Sequence, residues 1–156
     1  MAVDASVSRA YIEAELQAVA EMAESCGWRV LLPATGLRFN VLMTACSGDL
    51  FILDFDCTDY REQPALIEFI DPFTGAEGTK GAYPRTTDSL FHDHPCICAP
   101  FNRKAYKSVH TDWKFGDWAT SRANNYDWSS VSTIGDILGL MHTRLSRPDF
   151  YKGRMV

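Results

Sequence analysis

Four short apolar runs constrain the fold of this chain more than any other feature of its sequence. The runs cover residues 28–32, 39–45, 50–57 and 65–70, and turn signals rich in proline, glycine or aspartate stand at 33–36, 47–49 and 71–72. Runs of this length with such punctuation indicate β-strands. Because the connections between them are short, neighbouring strands are expected to pair antiparallel. The pattern therefore predicts a four-stranded antiparallel meander.

A helix is predicted on each side of the four runs, because apolar residues recur there at helical spacing. The first stripe consists of Ile12, Leu16, Val19 and Ala23, and the second of Ile134, Ile137, Leu138, Met141 and Leu145. The first helix is expected over residues 4–26, with Asp4 or Ser6 as its N-cap. The second is expected to begin near residue 131, with Ser130 or Ser132 as its cap, and to end before Pro148.

The resulting order is helix, four strands, a long irregular segment and a second helix, which is typical of a single α+β domain over residues 1–156. The irregular segment, residues 74–128, is rich in glycine, proline and aromatic residues, and a stretch of that length inside one domain is usually functional. Apolar residues make up 46% and charged residues 22% of the chain, a composition that argues against disorder. The net charge of -5 gives no basic surface for nucleic acid or an anionic membrane.

The five cysteines are an odd number, and the N-terminus lacks the basic and then apolar pattern of a signal peptide. No stretch is long and apolar enough to cross a bilayer. These features predict reduced thiols and a cytoplasmic location. Cys26, Cys46 and Cys57 stand singly among apolar residues and are expected to lie in the core.

The densest chemical signal is the segment His92-Asp93-His94-Pro95-Cys96-Ile97-Cys98-Ala99-Pro100, with Asn102 and His110 after it. A nucleophilic cysteine needs an accessible thiolate and hydrogen-bond donors for the oxyanion that forms during acyl transfer. A cysteine in a loop bounded by prolines and close to asparagine and histidine meets these needs. A cysteine of this segment is therefore a candidate nucleophile, and His94 and Asn102 either assist it or simply hydrogen-bond the loop backbone.

A metal site is the alternative interpretation of the same residues. Thiolates and imidazoles are preferred zinc ligands, and four such side chains fall at every second position. With His110 returning from the loop, the potential ligands are His92, His94, Cys96, Cys98 and His110. Four alternating side chains on one strand would spread along it, however, so only part of this set is expected to share an ion.

The order of these motifs resembles that of the ubiquitin-conjugating enzymes. His94-Pro95 is similar to the His-Pro of the family's His-Pro-Asn motif, and Ile97-Cys98 to its active-site Ile-Cys. Residues 59–70 resemble the family's proline-rich approach to the fourth strand, and residues 128–134 its next helix start. The likeness runs from the first helix to about Leu145.

This resemblance implies a fold with an N-terminal helix, a four-stranded meander, a long active-site loop and a C-terminal helix. It implies that Cys98 accepts a ubiquitin-like modifier as a thioester from an activating enzyme and passes it to an amine of a target protein. No cofactor is implied, since the activating enzyme consumes the ATP. His94 would shape the loop and Asn102 would serve as an oxyanion donor. The first helix would help to bind the activating enzyme.

The chain also departs from the family pattern. Cys96 stands where the motif has asparagine, which leaves Cys96 open as an alternative nucleophile. The span from Cys98 to Trp128 is longer than the family's, which implies an insertion beside the active site. Its Trp113 and Trp118 would pack the insertion down as a lid or face a partner, and its His110 and Asp112 could influence the incoming amine. Such divergence resembles the conjugating-enzyme-like proteins of bacterial operons that encode a ubiquitin-like protein and an activating enzyme, some of which act in antiphage defence. The alternative from another class is a catalytically inactive binding module of the same fold.

Overall fold

The computed structural model describes residues 2–114, 118 and 133–156. It shows an α+β fold, and its central feature is the predicted meander. The strands are β1 (Arg29–Leu31), β2 (Arg38–Thr44), β3 (Leu50–Asp56) and β4 (Leu66–Ile70). They form one antiparallel sheet in the order β1-β2-β3-β4, so the prediction of a four-stranded meander is confirmed.

The N-terminal helical region is divided in two, as α1 (Ala5–Ala18) and α2 (Ala20–Cys26), where the sequence predicted one helix. Asp4 is the N-cap, because its Oδ1 accepts the Ser6 N–H at 2.8 Å. At Val19 the backbone leaves helical geometry, with φ -111° and ψ 9°, and its N–H bonds to Leu16 O at 3.2 Å. This residue is stiff at χ1, and its side chain lies close to Gly135 of a second helix.

That second helix, α4 (Ile134–Ser146), lies across α1 and against β2. Its N-cap is Thr133, whereas the sequence predicted Ser130 or Ser132, which lie outside the described residues. The Thr133 hydroxyl accepts the Asp136 N–H at 3.1 Å and the Asp136 carboxylate accepts the Thr133 N–H at 3.0 Å, a reciprocal capping box.

The core lies between the helices and one face of the sheet. Alternate residues of each strand point inward, as the pleat requires. The largest buried side chains of the sheet are Phe39, Val41, Met43, Phe51, Leu53, Phe55, Ile67 and Phe69, and those of the helices are Ile12, Ile137, Leu138, Met141 and Leu145. Each such side chain contributes about 1.5–3 kcal/mol of burial free energy. Of the three cysteines expected in the core, only Cys57 is buried; Cys26 is half-buried, and Cys46 is exposed in the turn after β2.

The segment after β4 contains more regular structure than the sequence predicted. It forms a 3-10 turn (Lys80–Ala82), three short strands β5 (Pro84–Thr86), β6 (Phe91–His92) and β7 (Cys96–Ile97), and a short helix α3 (Ala105–Ser108). A strand that the sequence did not predict, β8 (Tyr151–Arg154), pairs with β5. Such short strands contain too few residues to show a period in the sequence. Each is stabilised by its pairing partner. Among the described helices, none has the length and apolar character needed to cross a membrane.

Candidate active site

A small hairpin positions Cys98. In it β6 pairs with β7, with Phe91 opposite Ile97 and His92 opposite Cys96. Cys98 follows β7 directly, and its N–H donates to Leu90 O at 2.7 Å. The backbone of the cysteine is therefore fixed from the hairpin side.

Asn102 fastens the loop after Cys98 to the central sheet. Its Nδ2 donates to Ile97 O at 2.9 Å, and its Oδ1 accepts the N–H of Ile67 in β4 at 2.9 Å and the N–H of Lys104 at 3.2 Å. The side chain is completely buried. The sequence predicted an oxyanion donor at this position. In the structure the amide is bonded to backbone groups on both of its ends, which holds the loop after Cys98 against β4.

The His110 side chain reaches the Cys98 thiol. Its Nε2 lies 2.6 Å from Cys98 Sγ, and the two residues are 12 positions apart in the chain. The turn after α3 brings the histidine back, because the His110 N–H donates to Ala105 O at 2.8 Å. The indole of Trp113 stacks on the imidazole, with centroids 3.8 Å apart and planes 10° from parallel. The thiol is covered in this arrangement, and Cys98 is 4% exposed.

Burial lowers the pKa of His110 below its ordinary value, and the nearby His92 lowers it further, while the Asp112 carboxylate opposes both effects. A neutral imidazole is therefore favoured near pH 7. When Nδ1 carries the ring proton, Nε2 is free of hydrogen and accepts the proton of the thiol. The pair can thus work as a nucleophile and its base.

Cys96 differs from Cys98 in its surroundings. Its thiol is 1% exposed and lies 3.6 Å from Ile97 O and 3.9 Å from Ser108 Oγ. Burial raises the pKa of Cys96 to about 11. The thiol therefore stays protonated near neutral pH, and the geometry favours Cys98 as the nucleophile of the two.

His94 lies away from this pair, in the turn of the hairpin. Its side chain is exposed, and its N–H donates to His92 Nδ1 at 3.3 Å. The potential zinc ligands are consequently divided between two strands, the turn and the loop. Within the described ranges, no group of three or more histidine, cysteine, aspartate or glutamate side chains is arranged to hold a metal ion.

The sequence offered His110 as a zinc ligand or as an influence on the incoming amine, and Trp113 as part of an insertion that covers the site or faces a partner; it did not predict the contact of His110 with Cys98. Their contribution depends on the path of the loop between Cys98 and His110. That path is held by Tyr106, whose hydroxyl donates to Pro100 O at 2.6 Å and whose ring meets Trp113 edge-on at 5.5 Å. Two signals in the sequence point to this arrangement. His110 follows the cysteine segment closely, and a tryptophan stands three residues after it in an aromatic-rich stretch.

Neither a protein-family model nor a curated protein sequence matches this chain.

Proposed function

We propose that this protein is a cysteine-dependent acyl transferase of the ubiquitin-conjugating type, with Cys98 as the residue that carries a ubiquitin-like modifier. The observation that supports it best is the 2.6 Å contact between Cys98 Sγ and His110 Nε2. The α+β arrangement and the order of motifs around Ile97-Cys98 favour this class over other cysteine enzymes. The proposed partners are an activating enzyme, a ubiquitin-like protein and a protein target, in a bacterial cytoplasm.

In the loading step, Cys98 Sγ attacks the carbonyl carbon of the thioester that joins the modifier to the activating enzyme. The thiol proton passes to His110 Nε2 as the new C–S bond forms. The tetrahedral oxyanion then collapses, the C–S bond to the activating enzyme breaks, and the leaving thiolate takes a proton from the imidazolium. The step exchanges one thioester for another, so it needs no energy source in this chain.

In the transfer step, a neutral amine of the target attacks the Cys98 thioester. His110 accepts a proton from the attacking nitrogen, the C–S bond breaks, and an amide is formed while the Cys98 thiolate is released. Both steps require room above the sulfur. Because Cys98 is 4% exposed, the loop that covers it must open before a carbonyl carbon can reach the thiol, while the His110 imidazole stays within reach of the sulfur.

The same low exposure favours a second candidate, a binding module of this architecture in which the thiol is structural. Such a protein would hold a ubiquitin-like partner without forming a covalent bond to it. The two candidates differ in one observable, a thioester on Cys98.

The test is a thioester assay with ATP, the activating enzyme and the ubiquitin-like protein that the resemblance predicts to be encoded beside this chain. Wild type, Cys98→Ala and Cys96→Ala are compared by intact mass and non-reducing gels. We expect a thiol-sensitive adduct in wild type and in Cys96→Ala, and none in Cys98→Ala. Loss of the adduct in Cys96→Ala alone would move the nucleophile to Cys96. Absence of an adduct in every variant, with partners shown to be active, would favour the binding module.

A further inference from the structure

The outer face of the sheet, opposite the core, carries a charged cavity. Directly paired residues share a face, so Asn40, Asp54 and Glu68 form one row across β2, β3 and β4, and Arg38, Asp56 and Leu66 form the next. Apart from Asn40, the residues of these rows line an open cavity of about 200 Å³ together with Glu77 and Lys104. The cavity lies on a different face from the buried core.

Negative charge exceeds positive charge in this cavity. The lining contains four carboxylates, Asp54, Asp56, Glu68 and Glu77, against the cations of Arg38 and Lys104. Arg38 pairs with Asp54 at 2.7 Å and with Glu77 at 3.1 Å. Lys104 pairs with Glu68. The two cations leave carboxylate oxygens of the cavity unneutralised.

The Glu68 carboxylate is the unusual group of the cavity. The residue is 7% exposed, its Oε2 is held by Lys104, and its Oε1 has no hydrogen-bond partner among the described residues. A buried carboxylate oxygen that accepts no hydrogen bond has lost its water without a replacement, and such oxygens are rare in folded proteins. An additional donor at this point would satisfy it.

The contact with Lys104 indicates the chemistry of that donor. The cavity already accepts one alkylammonium group, with Glu68 as its partner. Leu66 supplies an apolar wall beside the carboxylates, as the methylene stem of a lysine requires. The carboxylates of the cavity are not arranged to hold a metal ion, and no such cluster is found elsewhere among the described residues.

We propose that this cavity binds a lysine side chain presented by an extended segment of a partner protein. The ammonium donates to Glu68 Oε1 and lies near Asp56, and the stem packs along Leu66. Next to the cavity runs a half-exposed apolar row made by Leu42, Ile52 and Ile70, which are paired across three strands. Apolar residues on either side of the lysine would pack there. The proposal does not depend on the acyl-transfer chemistry of Cys98.

The experiment uses the full chain, labelled with ¹⁵N, and two peptides that differ by one charge. Acetyl-Leu-Lys-Leu-amide is titrated against acetyl-Leu-norleucine-Leu-amide, which keeps the stem and lacks the ammonium. We expect saturable changes of the backbone amide signals of Leu66, Glu68 and Asp54 with the lysine peptide. The neutral peptide should bind about tenfold more weakly, because a charged hydrogen bond is lost.

Glu68→Gln keeps the size of the side chain and removes its charge, and should weaken the lysine peptide about tenfold. Glu21→Gln, on exposed α2, changes the net charge equally and should leave binding unchanged. If Glu68→Gln fails to fold, Asp56→Asn at the half-buried edge of the cavity serves in its place. Equal binding of the two peptides, no saturable shift at these amides, or unchanged binding in the cavity variant would overturn the proposal. None of these results bears on thioester formation at Cys98.

Discussion

His110 is the residue whose replacement should reveal most about the candidate site. His110→Gln keeps a polar side chain near Cys98 but removes the proton acceptor, and we expect loading of the thioester to slow about 10²-fold. Single-turnover transfer to Cys98, followed by quenched-flow gels at saturating modifier, measures this rate. Loss of the rate without loss of the final adduct would separate a base from a structural role.

The pH dependence of the same reaction follows from the sign of the His110 pKa shift. Burial lowers that pKa, so the imidazole stays neutral below the ordinary value of about 6.5 and is lost as a base only in more acidic solution. Wild type should therefore keep its rate to a pH below the ordinary histidine pKa and then decline, whereas His110→Gln should lack this decline. Thr111→Ala, next in the chain and exposed, is the control and should behave as wild type. Identical acidic limbs in all three proteins would contradict the role of His110.

At this scale the sequence could predict the candidate nucleophile but not its neighbours. Cys98 was singled out by the likeness of Ile97-Cys98 to a family motif, and its role stays a prediction. His94 was expected to shape the loop and lies exposed in the hairpin turn, where its role stays a prediction. Asn102 was suited by chemistry to donate to an oxyanion, but it bonds to Ile67 and Ile97 instead. Such assignments depend on long-range contacts that no local pattern encodes.

The contact between α1 and α4 is made possible by a glycine. A Cβ at Gly135 would lie 2.5 Å from Val19 Cγ1, at the break between α1 and α2, whereas a Cβ at Gly139 would meet nothing within 4 Å. Gly135→Ala should therefore destabilise the protein by about 1–3 kcal/mol, since overpacking outweighs the gain in helix propensity. Gly139→Ala, in the same helix, should raise the free energy of unfolding by up to about 1 kcal/mol.

Urea denaturation monitored by circular dichroism measures both changes. The two variants add the same methyl group to the same helix, so their difference isolates the packing at Val19. If Gly135→Ala is as stable as Gly139→Ala, the helices separate at little cost and the close approach is not a constraint.

At the scale of elements, the helices and strands long enough to show an apolar repeat could be predicted from the sequence. The elements that depend on contacts with other parts of the chain could not. The four strands of the meander and α4 follow from apolar spacing, because each buries one face. The break at Val19 arises where α4 packs on it, and β8 exists only as the partner of β5. The 3-10 turn and the β6–β7 hairpin likewise have too few residues for any periodic signal.

Across the whole molecule, the burial of cysteine thiols and tyrosine phenols predicts how the free energy of unfolding changes at alkaline pH. Burial raises the pKa of a set of thiols and phenols in the folded state, to about 11 for Cys96 and about 12 for Tyr151. The other members of the set are Cys57, Tyr60 and Tyr83. In the unfolded chain these groups lose their protons near 9.0 for cysteine and 10.0 for tyrosine.

Above these values the unfolded state binds fewer protons than the folded state, so the free energy of unfolding falls as pH rises. Each group contributes a slope of about 1.4 kcal/mol per pH unit until its folded pKa is reached. Urea denaturation from about pH 7 to about pH 11 should show a level region and then a steep decline beginning near the unfolded thiol pKa. Cys57→Ala, which removes one buried thiol, should make the decline shallower by about one group's share, whereas Cys46→Ala, at an exposed position, should leave it unchanged. A free energy of unfolding that stays level to about pH 10.5 would show that these groups are deprotonated as easily in the folded protein as in the unfolded chain.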